Sequence, residues 1–396
     1  MADRFDYAVI GAGIVGLATA TAIHQRHPQA SIAVLEAEDR VGLHQSGHNS
    51  GVLHSGLYYK PGSLKARLCV EGRRRMVEFC EDNGIAHDVT GKLVVALDQK
   101  EVTRLERLHE RAHANGLQGV CWLERGEWYD IEPHIAGRAA LHVPEAGVAD
   151  FPAVVRRLAE KLPGDVRTSW RVASIRRQGG AWEVAGDHGA ILAGRLVACA
   201  GLQADRVAEM AGATPPVRIV PFRGEYFALT GPSEKLVRHL VYPVPDPRFP
   251  FLGVHFTRRI DGTVEVGPNA VPALGRHHYR GTAPDWREFI ETLRSPGFLR
   301  LALRYAPTGI AEIIRSRSAR LYGRAAARLL PALDTSDLTV AGAGVRAQAV
   351  SPDGRLVDDF SLLRQENALH VLNAPSPAAT ASLAIGERIA ALLDEG

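Results

Sequence analysis

Hydrophobic positions near the N-terminus follow the order strand, glycine-rich turn, helix, strand. Residues 5–10 form a short apolar run typical of a buried strand, and residues 14–22 carry apolar side chains at helical spacing. A second apolar run over residues 31–35 ends at Glu36. This pattern predicts a βαβ unit, in which a helix connects two parallel strands.

The rest of the chain divides into two kinds of region. Its apolar spacing predicts helices over residues 62–83, 98–115, 150–162 and 377–393, a helix from about 203, and strands over 92–97, 195–201 and twice within 166–184. Residues 216–275 hold alternating, proline-rich runs that indicate an inserted antiparallel sheet. Residues 284–333 are again predicted to be helical. From Leu338 the chain resumes the pattern of its N-terminal domain. The predicted fold class is α/β (α+β), with a Rossmann-like domain and an inserted antiparallel-sheet-plus-helix domain.

Composition narrows the classes of function. A chain of 396 residues that is 46% hydrophobic can form two domains with buried cores. Its 47 basic and 44 acidic residues nearly balance, which argues against a nucleic-acid partner. No apolar run approaches the roughly 20 residues of a transmembrane helix. The chain also runs straight into its first strand without a signal peptide, so we expect a cytoplasmic protein.

Cysteine and histidine spacing predicts neither a disulfide nor a metal site. Cys69, Cys80, Cys121 and Cys199 are far apart and form no Cys-x-x-Cys pair. The adjacent histidines at 277 and 278 have no third ligand at a plausible spacing.

Three glycines between the first strand and helix predict a nucleotide site. Gly11, Gly13 and Gly16 form the pattern Gly-x-Gly-x-x-Gly, which provides a tight turn, close approach of a pyrophosphate, and close helix–strand packing. The following helix N-terminus offers free N–H groups to phosphates. Glu36 stands at the end of the next strand, where an acid accepts hydrogen bonds from ribose hydroxyls.

Three features favour FAD over NAD. The glycine pattern lies at the extreme N-terminus of a long chain, and a second strand ends in glycine at residues 197–201. Residues 373–380 lead into the last helix, with Ser376 as the predicted N-cap and Pro377 in the first turn. The dipole of that helix would stabilise negative charge on a reduced flavin. We therefore expect FAD-binding segments at 1–83, 145–215 and 338–396, and substrate-binding segments at 84–144 and 216–337.

The most informative stretch is residues 44–63, which combines four glycines with His44, His48, His54, two tyrosines and Lys60. Such a segment is typical of backbone packed against a planar ligand, with polar side chains facing a reacting atom. It indicates redox chemistry on a small acid.

The chain resembles the L-2-hydroxyglutarate dehydrogenase/oxidase family within the D-amino-acid-oxidase-like flavoproteins. The matching stretches are residues 46–61, 219–226, 242–246, 250–257, 267–270, 343–348 and 373–380. The resemblance implies FAD-dependent oxidation of L-2-hydroxyglutarate to 2-oxoglutarate, with electrons passed to a membrane quinone or another acceptor. The divergence falls in residues 284–333, so the resemblance supports the chemistry but implies neither a substrate lid nor a membrane contact there.

From the motifs and the resemblance together, a set of residues is predicted to contact FAD. These are Gly11, Gly13, Ile14, Val15, Gly16, Glu36, Ala37, His44, Gln45, Ser46, His48, Asn49, Ser50, Gly51, Val52, Val172, Ala200, Gly201, Gly344, Pro375, Ser376, Pro377, Ala378, Ala379 and Thr380.

Oxidation of a 2-hydroxy acid requires hydride transfer from Cα to flavin N5 and loss of the hydroxyl proton to a base. A neutral histidine suits that base, and His54 is the first candidate and His255 the second. A dicarboxylate also needs two anchors, for which Arg223 and Arg346 offer bidentate guanidinium groups. Further substrate-binding candidates are Lys60, Tyr58, Tyr59, Tyr242 and Ser376.

Several alternatives remain at the level of sequence. The same fold serves amino-acid or amine oxidases and glycerol-3-phosphate dehydrogenases, whereas an RNA-modifying flavoprotein or a non-catalytic flavin-binding protein fits the charge balance and the 44–63 segment less well. Residues 316–333 carry arginines at helical spacing, which indicates either a membrane-surface helix or, as we favour, an ordinary domain helix. The expected location is cytoplasmic. If the electron acceptor is a membrane quinone, we expect peripheral association at the inner face of the cell membrane.

Overall fold

The computed structural model describes residues 2–247, 253–267, 270–279, 283–316 and 318–395, without the side chains of residues 307, 308, 310–312 and 314–316. Parts of two predicted motifs, residues 250–252 and 268–269, lie outside the described residues, as does Arg317 of the predicted basic helix.

The described residues form strands and helices. In chain order the strands are β1 (Asp3–Ile10), β2 (Ile32–Leu35), β3 (Val52–Leu53), β4 (His87–Asp88), β5 (Lys92–Ala96), β6 (Cys121–Glu124), β7 (Ala139–Val143), β8 (Gly147–Ala149), β9 (Asp165–Arg167), β10 (Val172–Gln178), β11 (Ala181–Gly186), β12 (Gly189–Ala198), β13 (Arg218–Leu229), β14 (Leu240–Pro243), β15 (His255–Arg258), β16 (Val264–Gly267), β17 (Val271–Pro272), β18 (Leu338–Val350), β19 (Ser361–Gln365) and β20 (Ala368–Asn373). The helices are α1 (Ile14–Arg26), α2 (Leu64–Asp82), α3 (Gln99–Ala114), α4 (Phe151–Lys161), α5 (Ala204–Met210), α6 (Trp286–Arg294), α7 (Pro296–Ser316), α8 (Ala319–Ala326) and α9 (Ala378–Asp394).

The first sheet contains the predicted βαβ unit. β1 lies between β2 and β12 and is parallel to both, and β20 and β9 extend the parallel part. Ile10 is in register with Leu35 on one side and Ala198 on the other, so the carboxyl ends of these strands meet at one edge. Ligands of open α/β sheets bind at this edge.

Helices α1 and α9 cover one face of this sheet at close range. A Cβ on Gly386 of α9 would lie 2.5 Å from the backbone of Ala18 in α1, and a Cβ on Gly72 of α2 would lie 2.5 Å from Ala381 of α9. The small residues therefore bring α9 against both helices and place its N-terminus beside the sheet edge.

The second sheet has nine strands in the order β17-β13-β16-β15-β14-β5-β7-β6, with β18 also paired to β13. The predicted antiparallel insert is confirmed for most of it, and the exception is the parallel pair β5–β14. β18 begins the last predicted FAD-binding segment and pairs along its length with β13, so that segment contributes to both sheets. The domain bounds themselves stay a prediction.

Local capping signals explain several helix boundaries. The side chains of Asp98 and Asp150 accept hydrogen bonds from the N–H groups of Glu101 and Ala153, which starts α3 and α4 where the sequence predicts. α2 and α3 stop before Gly84 and Gly116, whose positive φ angles suit glycine.

The predicted basic stretch 316–333 is not one helix. α7 ends at Ser316, and α8 covers only Ala319–Ala326 before the chain turns. Tyr322, Leu329 and Leu330 are buried in the core of the second sheet, as expected of a domain helix. Among the described helices, none combines the length and apolar character that a bilayer crossing requires.

Candidate active site

The glycine pattern forms a close contact between β1, α1 and β12. A Cβ on Gly16 would lie 1.9 Å from the carbonyl oxygen of Gly11, and one on Gly11 would lie 2.5 Å from that of Cys199. Gly11 also has a φ of 99°, which side chains rarely adopt. This edge is thus built from backbone that only glycine permits, which is the geometry that a pyrophosphate needs.

Glu36 and Ser46 line the start of α1. The Glu36 carboxylate accepts hydrogen bonds from Ala12 N–H (2.8 Å) and Glu38 N–H (3.0 Å), and burial raises its pKa. The Ser46 hydroxyl accepts from Ile14 N–H at 3.0 Å. Gly13 is the N-cap residue and has no side chain to offer, so α1 begins without a cap of its own.

Five separate predicted segments meet around this edge. A Cβ on Gly201 would lie 3.2 Å from Gln45 Oε1, and one on Gly344 would lie 2.7 Å from the His48 carbonyl oxygen. Val172 lies two residues after Trp170, whose backbone N–H donates to the Glu36 carbonyl at 2.7 Å. The structure therefore brings residues 11–16, 36–52, 172, 201 and 344 together, as a single dinucleotide site requires.

The 44–63 segment is held by α9 and by its own side chains. Thr380 Oγ1 donates to the Val52 carbonyl and accepts from His54 N–H, both at 3.1 Å. Asn49 Nδ2 donates to the Ser46 carbonyl at 2.8 Å, and Asn49 Oδ1 accepts from Gly51 N–H at 2.9 Å. These contacts fix the backbone N–H of His54 and the residues before it.

The role predicted for Ser376 as a helix cap is wrong. α9 begins at Ala378 with Pro377 as its N-cap residue and no side-chain cap, and the Ser376–Pro377 peptide bond is cis. The Ser376 hydroxyl instead lies 3.4 Å from His54 Nε2. Its place beside the candidate base leaves its predicted substrate or flavin contact open.

Two neutral histidines face this place. Burial, together with the positive charges of Lys92, Lys65 and Arg346, lowers the pKa of His54 to about 3. Burial lowers the pKa of His255 to about 4. His255 Nδ1 lies 2.8 Å from the Gly253 carbonyl, so in the neutral ring Nδ1 carries the proton and Nε2 is free to accept one.

The predicted tyrosines surround a lysine that sequence reasoning missed. Lys92 Nζ lies 4.6 Å from the ring centre of Tyr58 and 4.8 Å from that of Tyr242. The Tyr242 ring also packs on His255, with 4.2 Å between ring centres. Tyr59 lies under Lys65 Nζ at 4.8 Å. Lys60 is exposed, so the lysines that reach the tyrosines are 65 and 92.

The two predicted arginine anchors lie on opposite faces of the β13–β18 ribbon. Arg346 is opposite Phe222 in the register, whereas Arg223 is opposite Val345, and neighbouring residues of a strand alternate between faces. The positive charge of Arg346 lowers the pKa values of His54 and His255. Arg223 instead pairs with Glu225 at 3.0 Å and contacts His278 at 3.3 Å.

One cluster of metal-ligand type exists, although none was predicted. Ligand atoms of Glu38, His44 and His277 all lie within 4.8 Å of one another. His44 Nε2 pairs with Glu38 at 3.2 Å, and His277 Nε2 contacts Gln203 at 3.0 Å, so these side chains already have partners. Ligand spacing along the chain does not reveal this cluster because the three residues come from distant segments, and no metal is assigned to it.

The missed residues carry a recognisable signal. Lys92 opens the apolar strand Lys-Leu-Val-Val-Ala, where burying a charge is costly without a partner. Tyr226 lies two residues beyond Gly224 on the Arg346 face of β13, and the Arg346 charge lowers its pKa against the larger raising effect of burial.

Known proteins resemble the chain throughout its length. The family model of FAD dependent oxidoreductases (DAO) matches residues 6–392. The L-2-hydroxyglutarate dehydrogenase of Indibacter alkaliphilus is 48% identical over 96% of this chain and 97% of its own. The Escherichia coli K12 protein of that name is 42% identical, over 97% of this chain and 92% of its own, and the human mitochondrial one is 40% identical, over 98% and 88%.

The chain belongs to the L-2-hydroxyglutarate dehydrogenase family of FAD-dependent oxidoreductases. Solved structures share the fold at lower identity. The FAD-bound L-α-glycerophosphate oxidase of Mycoplasma pneumoniae superposes with a TM-score of 0.81 at 21% identity, covering 100% of this chain and 95% of its own. Glycine oxidase of Geobacillus kaustophilus gives 0.74 at 19%, covering 99% and 95%.

The residues of this L-2-hydroxyglutarate dehydrogenase family member fit FAD. The edge that excludes any Cβ at Gly11 and Gly16, the start of α1 at Gly13 and the carboxylate of Glu36 are the parts that bind a dinucleotide. α9 begins next to His54, where its N-terminal N–H groups favour negative charge.

Proposed function

We propose that this protein oxidises L-2-hydroxyglutarate to 2-oxoglutarate with bound FAD. The observation that carries the proposal is the identity of 48% over 96% of the chain to a relative that bears this activity in its name. The site agrees in its chemistry, because neutral histidines and cationic side chains converge where α9 begins. The glycerophosphate oxidase neighbour, at 21% identity, supports the fold alone.

His54 is the proposed base. Its backbone is fixed by Thr380 and by the Cys69 thiol, which donates to the His54 carbonyl at 3.2 Å. Its depressed pKa keeps the ring neutral at pH 7, the form that accepts a proton. His255 is the second candidate, with Nε2 as its free acceptor.

The reaction removes a proton and a hydride from the same alcohol. The substrate O–H proton passes to the ring of His54, the Cα–H bond breaks, and the C–O bond becomes the carbonyl of the 2-oxo acid. Bound FAD supplies the two-electron acceptor for that hydride.

Substrate orientation falls to the polar groups around the histidines. Arg346 would bind a carboxylate as a planar fork, and Tyr58, Tyr59, Tyr242 and Ser376 offer hydroxyl groups. Arg223 and Lys60 stay predicted contacts. The pairing of Arg223 with Glu225, and its place on the other face of β13, favour a smaller contribution from it.

A membrane quinone at the inner face of the cell membrane is the proposed electron acceptor. Helices α6 and α7 support this choice because they expose Trp286 (59%) and Leu303 (79%) beside arginines such as Arg287. Exposed apolar groups with basic neighbours suit the surface of an anionic bilayer. Cosedimentation with phosphatidylglycerol vesicles tests the contact, and a Leu303→Ser variant should bind them more weakly than the wild type.

Anaerobic reduction of the bound flavin tests the activity directly. L-2-Hydroxyglutarate should bleach the visible flavin absorbance, whereas its D-enantiomer, L-lactate, glycerol 3-phosphate and L-glutamate should not. Selective bleaching by another compound would keep the flavoprotein and discard this substrate.

A further inference from the structure

We propose that Lys92 binds the distal carboxylate of the substrate and thereby selects a diacid over a monoacid. The inference rests on the proposed function for the identity of the substrate, but its structural basis is independent of that identity. It begins with a lysine that is 1% exposed, on a strand whose residues are all buried.

The charge of Lys92 has no anionic partner in the part of the chain that the structure describes. Among the described residues, its Nζ makes neither an ion pair nor a hydrogen bond, and its contacts are the faces of Tyr58 and Tyr242. The nearby Cys69 thiol does not balance it, because burial raises the pKa of that thiol to about 12 and keeps it neutral. A buried ammonium without a counter-ion is costly, so a retained lysine here needs an anion from outside.

The charged groups around Lys92 are of the same sign. Lys92 lowers the pKa values of both His54 and His255, and Arg346 acts on the same two rings. Burial lowers the pKa of Lys92 to about 8, so it is still mainly protonated at pH 7. Lys92 and Arg346 therefore bring two positive charges near His54 and His255, which suits a ligand that carries two negative charges.

A second polar group at this place also lacks a partner. The Tyr58 hydroxyl is buried and makes no hydrogen bond to any described residue. Its ring lies against Lys92 Nζ, so a carboxylate bound to the ammonium would have a phenol as neighbour. One ligand group would satisfy both the ammonium and the hydroxyl.

The positions of the two cations assign the two carboxylates. Arg346 lies two residues from Gly344, which touches the His48 carbonyl of the predicted flavin segment. It therefore lies on the cofactor side, where the reacting carbon and its own carboxylate must be. Lys92 lies on β5 against the two tyrosines, and its charge acts on the same two histidines as that of Arg346. That place suits the far end of a five-carbon diacid.

Binding of unreactive ligands to the FAD-loaded protein tests this inference. Glutarate and butyrate differ by one carboxylate, and their dissociation constants can be measured by calorimetry. Lys92→Met should weaken glutarate by about 100-fold, as when one partner of a buried charge pair is removed, and leave butyrate unchanged. Lys100→Met, which removes the same charge from the exposed start of α3, should change neither.

Turnover gives a second readout. In Lys92→Met, kcat/KM should fall by about 100-fold for L-2-hydroxyglutarate and by less than about threefold for L-2-hydroxybutyrate. FAD content should match the wild type and the thermal unfolding midpoint should be no lower, because methionine fills the space without a buried charge. Unchanged glutarate binding, or equal loss for diacid and monoacid, would overturn the assignment. If glutarate binding depends on Lys92 but L-2-hydroxyglutarate does not reduce the flavin, the proposed function fails and this inference stands.

Discussion

His54 and Thr380 are 326 residues apart in the chain and joined by a hydrogen bond of 3.1 Å from the backbone N–H of His54 to the threonine hydroxyl. The same hydroxyl donates to the Val52 carbonyl, also at 3.1 Å, and the Thr380 side chain is fully buried. One side chain of α9 therefore determines where the candidate base stands relative to the helix N-terminus.

Thr380→Val should test that positioning role. The variant keeps the shape but leaves a buried N–H and a buried carbonyl unpaired, which costs about 1–3 kcal/mol for each group. We expect a lower free energy of unfolding in urea and a lower kcat. Thr380→Ser retains the hydroxyl and should restore kcat, whereas equal kcat in both variants would remove Thr380 from this role.

His54→Gln should identify the base. Loss of a general base lowers kcat by about 10²–10⁴-fold, with a small change in KM. His255→Gln should cost less, and His113→Gln, on the exposed side of α3, should keep full activity at equal FAD content. Stopped-flow reduction of the flavin measures the step. A larger loss in His255→Gln would exchange the two roles.

The pH dependence should differ between free enzyme and substrate complex. Burial and neighbouring cations hold the pKa of His54 at about 3, so the free ring stays deprotonated as the pH falls from 7 to 5. A bound dianion offsets those cations and raises the pKa. We therefore expect kcat/KM to lack an acid limb above pH 5 and kcat to show one at higher pH than kcat/KM does. A His54-dependent limb of kcat/KM near pH 6.5 would contradict this.

Arg276 and Asp205 form a buried ion pair that ties the 270–279 segment to α5, with Arg276 Nη2 3.0 Å from Asp205 Oδ2. Burial raises the pKa of Asp205, but the hydrogen bonds and charge of Arg276 outweigh it and give a net lowering. Arg276→Met should destabilise the protein by about 3–5 kcal/mol in urea unfolding, because the carboxylate stays buried without its partner. Adding Asp205→Asn should recover part of that loss. Additive losses would mean that the two residues are not coupled.

Gly16→Ala should abolish FAD binding while a matched substitution does not. The new Cβ would lie 1.9 Å from the Gly11 carbonyl oxygen, so the turn beside the phosphates must move. Outside its own helix, Gly309 of α7 has no described atom within 4 Å of its Cβ position, and Gly309→Ala should bind FAD normally and gain helix stability. Flavin absorbance per protein, measured after gel filtration, compares them. A normal ratio of flavin to protein in Gly16→Ala would show that the close contact between Gly16 and Gly11 is not required for FAD binding.

Local order along the chain was enough to predict the βαβ unit and the starts of α3 and α4, which the structure explains by the side-chain caps Asp98 and Asp150. Each depends on side chains within a few residues, where spacing and hydrogen bonding to the adjacent backbone decide the structure. The match of seven ordered stretches likewise indicated the family before any contact was known.

Only the tertiary structure decided which of these side chains meet. Arg223 and Arg346 have similar sequence settings, yet strand register places them on opposite faces. Ser376 is a residue type that often caps helices but contacts His54 instead. Lys92 on β5 meets Tyr242 from the paired strand β14 and Tyr58 from the loop after β3. The sequence by itself determines helices, strands and glycine turns because those follow from short-range sterics. Strand register and the packing of α9 against the 44–63 segment join residues hundreds of positions apart, and only burial of the whole chain determines those contacts.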